Sequence, residues 1–442
     1  MDEFEQGGGQ AVPSGRLARL GQFGRLAGGV AGGMIAEGAR RLADGERPKV
    51  SELLMTPANV GRVADRLAHL RGAAMKLGQM ISMDAGDLLP AELTQILARL
   101  RSGAQHMPPQ QLNAVLIREY GANWRKRFKR FEASSLAAAS IGQVHRAVTH
   151  DGRELAIKVQ YPGVAGSIDA DIDNVATLLR VSGLLPRELD ISPLLGEAKR
   201  QLAQEADYLR EGAQMERFRT LLADSSDYVV PKLEPEFTTR TVLAMTYLPG
   251  KPIESLIEAP QDVRNRVVES LLSLVLRELF EFGTMQTDPN FANYRYQPDT
   301  GRLVLLDFGA AQHIAPATSA AYRTLMAAAL AGNRDAVRDA ALRIGFLGEQ
   351  AVAKHRERLD RMIDVVLDKF AARGKFDFSE RSFVEELRPD GIAVAADKSS
   401  WHLPPAELLF VQRKISGTAL LAARLGARID LRGLLERYLV GV

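Results

Sequence analysis

Asp288 precedes Asn293 by five residues and Asp307 by nineteen, and Asp307 opens the tripeptide Asp307-Phe308-Gly309. The set offers an acid and two metal-ligating oxygens at the spacing of an ATP-using phosphotransfer site, so the chain between them must fold to bring them together. The apolar run Leu303-Val-Leu-Leu306 reads as a short strand that delivers Asp307 at its end, where Gly309 permits a turn. A carboxylate held there can ligate Mg²⁺ bridging triphosphate oxygens, and Asn293 adds a neutral oxygen ligand. Asp288 can orient or deprotonate an attacking hydroxyl or water. Asp-Phe-Gly by itself is a weak signal, because it also makes ordinary turns. Preceded by Asp-x4-Asn and a strand, it is a strong one.

Upstream, Lys158 lies in the alternating run Glu154-Leu-Ala-Ile-Lys-Val-Gln160, a strand pattern that puts neighbours on opposite faces. A lysine on the inner face needs an anion, and the α- and β-phosphate oxygens of a nucleotide are natural partners. Its carboxylate partner should come from the helix containing Gln204-Glu-Ala-Asp-Tyr-Leu-Arg-Glu211, with Glu205, Asp207 and Glu211 as candidates. Before the strand, where kinases place a Gly-rich phosphate loop, stands Leu136-Ala-Ala-Ala-Ser-Ile-Gly142. Ala137, Ala138 and Ala139, with Ser140, can cover a nucleotide. Their Cβ atoms keep backbone amides farther from phosphate than glycine would, so the γ-phosphate should sit differently.

The 442 residues suit a two-lobed body with an extension. Charge is nearly balanced, with 57 Lys and Arg against 54 Asp and Glu, which gives no global attraction to nucleic acid. The basic and aromatic run Trp124-Arg-Lys-Arg-Phe-Lys-Arg-Phe131 is short and reads as a solvated strand edge. There are no cysteines, which excludes disulfides, thiolate metal sites and Cys nucleophiles. The longest uncharged apolar stretch, Leu26 to Ala36, is Gly-rich and has eleven residues, against the ~20 needed to span a bilayer. These features support two readings, a cytoplasmic protein or an organellar one, in either case with the Gly-rich helix as the candidate surface for peripheral membrane contact. Residues 1–50 read as a loose tail and Gly-rich helix, 51–125 as a helical extension, 126–250 as a small lobe with a helical insert, and 251–442 as a helical lobe. In that last region Leu303–Leu306 is the one strand expected, and Leu248-Pro249-Gly250 punctuates the boundary before it.

The Ala-rich loop, Lys158, the Glu-x-Asp of Glu205 and Asp207, Gln286-Thr-Asp-Pro-Asn290 and Asp307-Phe-Gly309 together resemble the UbiB family of atypical kinase-like proteins. Lys76-Leu-Gly-Gln79 matches that family's Lys-x-Gly-Gln motif, so the likeness runs from about residue 50 to 430. The Gln-Thr-Asp-Pro-Asn form is similar to the coenzyme Q branch; most other members have His where Gln286 stands. The resemblance implies an α+β, two-lobed protein-kinase-like fold with an N-terminal helical extension across its cleft. It places Lys76 and Gln79, together with Glu205 and Asp207, near the nucleotide as regulatory residues. It also implies Mg-ATP binding, with Lys158 paired to Glu211 and the adenine held near Met245, Tyr247 and Leu248. ATPase activity in support of ubiquinone or other prenyl-lipid biosynthesis is implied too, with a prenyl-lipid or phenolic precursor as partner.

Overall fold

The computed structural model describes residues 107–181, 192–371, 374–380, 382–400, 402 and 404–439. Its residues divide into two units. One holds the described residues up to Glu216 together with Pro231–Tyr247; the other holds Arg217–Val230 and the described residues from Leu248 onward.

The first unit opens with helix α1 (Pro109–Tyr120), where Pro109 takes the first helical turn, a position that has no use for its missing N–H. A 3₁₀ turn at Trp124–Arg127 leads into strands β1 (Arg130–Ala138), β2 (Gly142–Val148) and β3 (Glu154–Gln160). Asp151 and Gly152 turn the chain between β2 and β3, with Gly152 at φ 87°. Three helices follow: α2 (Ile168–Val181), α3 (Ser192–Glu205) and α4 (Tyr208–Leu221). The end of α4 and strand β4 (Tyr228–Val229) belong to the second unit, and the chain then returns as β5 (Val242–Thr246). The antiparallel sheet has the order β1-β2-β3-β5, which puts β3 at its centre.

The run Trp124–Phe131 separates by chemistry. Trp124 and Phe128 are buried with Leu112, Leu116 and Phe237, and Phe128 stacks on Phe237 with centroids 4.9 Å apart. Arg125 and Arg127 lie over the rings of Trp124 and Tyr120 at 5.5 and 4.8 Å, and Arg127 also donates to the Glu236 carbonyl. The aromatics therefore serve the core and the arginines cover it, which accounts for the interleaving.

The sheet is tightest where β2 begins. A Cβ added at Gly142 would lie 2.5 Å from the Val159 carbonyl oxygen and 2.8 Å from the Tyr208 hydroxyl. Backbone cannot retreat as a flexible side chain can, so Gly142→Ala should cost about 1–3 kcal/mol of stability. Denaturant unfolding measures it, and an unchanged midpoint would contradict the crowding.

In the second unit β4 pairs in parallel with a later strand, and β6 (Lys251–Pro252) leads to helix α5 (Gln261–Arg277). A π-helical turn, Glu278–Phe282, prolongs α5 and ends at Gly283 in the left-handed region, φ 58°. Then come β7 (Thr284–Gln286), β8 (Tyr294–Gln297), β9 (Arg302–Leu305) and β10 (Ala311–His313). One sheet has the order β4-β9-β8-β6, and β7 pairs with β10 apart from it. Of the strands after Ile253, the sequence predicts only β9, from its unbroken apolar run. The other strands run two to four residues, too short to show a period of two.

Helices α6 (Pro316–Leu330), α7 (Arg334–Ile344) and α8 (Glu349–Ala371) follow, then strand β11 (Phe376–Asp377) and helix α9 (Ser382–Ala396). Helix α10 (Ala406–Arg424), strand β12 (Arg428–Ile429) and helix α11 (Leu431–Leu439) complete the unit. Val275, Leu279, Met285, Ile314, Leu408 and Val411 form a core that locks α5 and α10 around the π turn and β7. No described helix is long and apolar enough to cross a membrane.

Candidate functional site

Lys158 stands in the central strand and is 6% exposed. Its Nζ lies 2.8 and 2.9 Å from the two carboxylate oxygens of Glu211, itself 1% exposed in the first turn of α4. The Tyr208 ring lies 5.1 Å from the same ammonium, a cation–π neighbour that residue type alone does not announce. Of the three acids named from sequence, Glu211 is therefore the one against Lys158. Glu205 lies elsewhere, at the end of α3, and accepts from the Ser140 hydroxyl at 3.3 Å. Asp207 caps α4: Oδ1 accepts from the amides of Leu209 and Arg210, and Oδ2 pairs with Arg240.

The Ala-rich segment is a tight hairpin. Ala137 and Ala138 are the last residues of β1, opposite Val144 and Gln143, and the Ala139 amide donates to the Gly142 carbonyl at 2.8 Å. Met245, in β5, faces Ala156 across the ladder and is 5% exposed. The Tyr247 amide donates to the Glu154 carbonyl, and Arg146 covers the Tyr247 ring. Leu248 is the first residue of the second unit after β5. Lys76 and Gln79 lie outside the described residues.

Asp288, Asn293 and Asp307 come together in the second unit. Residues 287–293 connect β7 to β8, and 306–310 connect β9 to β10, so two paired strands carry each connection. The connections are also tied directly. The Leu306 amide donates to the Asn293 carbonyl at 3.0 Å, and the Thr287 hydroxyl donates to the Ala310 carbonyl at 2.8 Å. Asn293 Nδ2 donates to the Asp288 carbonyl, which leaves the amide oxygen as the end that can serve a cation. Asp307 Oδ1 accepts from the Gly309 amide at 3.0 Å, a local turn that fixes the carboxylate at the end of β9. Phe308 is 1% exposed and packs against Phe218 with centroids 5.1 Å apart, which anchors the tripeptide.

Asn293 and Asp307 line one small pocket with Glu278, Gln286, Tyr294 and Lys414. No group of three or more His, Cys, Asp or Glu able to hold a metal occurs among the described residues. One carboxylate and one amide oxygen on a common pocket match a hard cation that takes its remaining ligands from phosphate and water, as Mg²⁺ does. In sequence Lys414 reads as one more charge of the amphipathic segment 401–442, and nothing local to it signals its burial. Burial pulls its pKa down, but the Glu278 carboxylate and Tyr294 more than offset this, and the ammonium is held charged.

Comparison with known proteins extends the motif likeness to the whole chain. Residues 99–341 match the ABC1 atypical kinase-like domain. The atypical kinase COQ8, mitochondrial, of Saccharomyces cerevisiae is 36% identical over 426 residues, covering 95% of this chain and 84% of the relative. The corresponding Caenorhabditis elegans protein is also 36% identical, over 98% of this chain and 58% of the relative. Among solved structures, Rv3197 of Mycobacterium tuberculosis, in complex with erythromycin, shares 25% identity and a TM-score of 0.62 over 87% of this chain and 96% of that one. Its fold, its domain match and its likeness to COQ8 proteins over nearly its full length make this chain a member of the UbiB, or ABC1, family of atypical kinase-like proteins.

Proposed function

We propose that the protein is a UbiB-type ATPase that binds Mg-ATP and supports ubiquinone or other prenyl-lipid biosynthesis at a membrane surface. The observation that carries the reading is the buried Lys158–Glu211 pair at 2.8 Å. Such a pair adds little net stability compared with apolar residues of the same size, so its presence favours a task for the ammonium. In this reading Glu211 orients Lys158, and Lys158 binds the α- and β-phosphate oxygens. The hairpin at Ala137, Ala138, Ala139 and Ser140 covers the nucleotide, and the segment Met245, Tyr247 and Leu248 meets the adenine. The amides of Thr246 and Tyr247 already donate to Lys232 and Glu154, so the adenine would use other backbone groups of that segment.

Asn293 and Asp307 would hold Mg²⁺, which when bound neutralises charge between the β- and γ-phosphates. Asp288 would orient the attacking oxygen and take its proton. Glu205, through its Ser140 contact, would couple α3 to the hairpin, with Asp207, Lys76 and Gln79 as its regulatory partners. Residues 126–250 form the nucleotide-covering lobe in this reading, 251–442 the metal-binding lobe, and 51–125 a regulatory extension.

The test is Mg²⁺-dependent ATP hydrolysis by the purified chain, with and without liposomes of anionic phospholipid. Turnover is expected, and liposomes are expected to raise it severalfold. Transfer of ³²P to a protein or small hydroxyl compound in place of phosphate release would make the chain a phosphotransferase. Nucleotide binding with neither would make it a scaffold.

A further inference from the structure

We infer that Lys414 and Glu278 are positioning residues that clamp both ends of the loop bearing Asp288 and Asn293, an inference about catalysis that rests on the phosphoryl-transfer reading above. Lys414 projects from α10 and is 1% exposed. Its Nζ lies 3.0 Å from the Tyr294 hydroxyl, 3.4 Å from Gln286 Oε1 and 3.3 Å from Glu278 Oε2. Two of its donors are spent on Tyr294 and Gln286, while Glu278 Oε2, which accepts no hydrogen bond, is held by charge alone.

Those two acceptors flank the loop. Gln286 stands two residues before Asp288, and Tyr294 follows Asn293 directly. Glu278 holds the Gln286 end a second time: its Oε1 accepts from the Gln286 backbone amide at 3.2 Å. Glu278 opens the π-helical turn after α5 and is 0% exposed. A π turn is a local departure from α geometry that commonly marks a functional position, and here it brings the carboxylate to the Gln286 backbone.

A charge balance alone would need only Glu278 beside Lys414. Buried ion pairs can usually be replaced by apolar side chains of similar volume without loss, so stability does not explain this one. These contacts instead tie the distant helix α10 to three positions within residues 278–294 and fix the two residues that frame the loop. Displacing a catalytic group by about 1 Å costs on the order of 10²-fold in rate, which is what the clamp prevents.

Two variants test this. Tyr294→Phe removes one acceptor while keeping the ring in the core. The paired substitution Lys414→Met with Glu278→Gln removes both charges but keeps an acceptor for the Gln286 amide. For each, kcat and KM for Mg-ATP, ATP affinity, thermal midpoint and amide hydrogen exchange are measured. The expected result is a kcat reduced about tenfold by Tyr294→Phe and on the order of 10²-fold by the pair. ATP affinity should stay within twofold, and exchange should accelerate in 286–294 beyond the rest of the second unit.

Unchanged kcat and unchanged exchange would overturn the clamp. So would a loss of kcat accompanied by uniformly faster exchange throughout the unit, because that marks a core residue only. If the unsubstituted protein neither hydrolyses ATP nor transfers phosphate, the phosphoryl reading fails by itself. Exchange in 286–294 then still decides whether Lys414 fixes the loop.

Discussion

Asp307→Asn should lower Mg²⁺-dependent ATP turnover by on the order of 10³-fold while leaving the thermal midpoint nearly unchanged. The asymmetry follows from what each carboxylate oxygen does. Oδ1 accepts from the Gly309 amide and holds the turn at the end of β9, a bond that an asparagine oxygen keeps. The charge is what the substitution removes, and Asn293 is already neutral. The metal would be left with the Asn293 amide oxygen and an NH2 that cannot ligate it in place of Asp307 Oδ2, too weak a set for a cation that gives up its water reluctantly. Raising Mg²⁺ should recover part of the lost rate, and a Mg²⁺ titration of both proteins reads this directly. Turnover within tenfold of the unsubstituted protein at every Mg²⁺ concentration would remove Asp307 from the metal site.

The local parts of this fold were legible from sequence, and the reasons are physical. β3 shows its alternation because one strand of seven residues gives enough positions to establish a period of two. The turn at Asp151 and Gly152 needed a residue tolerant of positive φ, and Gly152 supplies it. Strands β7 and β10 were not legible, for three residues cannot display a period, yet their pairing brings the Asp288 loop beside the Asp307 tripeptide. The Ala-rich segment reads as a loop in sequence; in the structure Leu136, Ala137 and Ala138 end β1 and Gly142 opens β2, so the turn is confined to 139–141. The acids Glu205, Asp207 and Glu211 are equivalent by residue type and spacing; the family resemblance sets Glu211 against Lys158, and the geometry of α3 and α4 gives the three their different contacts. Lys414 lies 120 residues from Tyr294, and no local pattern can signal a contact at that separation.

Glu211→Ala should destabilise the first unit by about 3–5 kcal/mol, because it strips Lys158 of its paired carboxylate in a buried setting. That number alone would not tell a structural pair from a functional one. The paired substitution Lys158→Met with Glu211→Met separates them, since long apolar side chains fill similar volume and bring no charge to be solvated. It should recover most of the lost stability, yet ATP turnover should fall at least 10²-fold, because no ammonium remains for the phosphates. Glu211→Ala by itself should show the opposite balance: ATP affinity largely kept, since Lys158 still meets phosphate, and kcat reduced, since nothing orients it. Saturating Mg-ATP should also return part of the stability to Glu211→Ala, at about 2.7 kcal/mol for ligand at a hundred times its Kd. It should return nothing to the paired variant if phosphate contact is what Lys158 provides. Denaturant midpoints with and without Mg-ATP, beside steady-state kinetics, measure all four quantities. A paired variant that keeps full turnover would reduce the Lys158–Glu211 contact to core packing and take the nucleotide assignment of this unit with it.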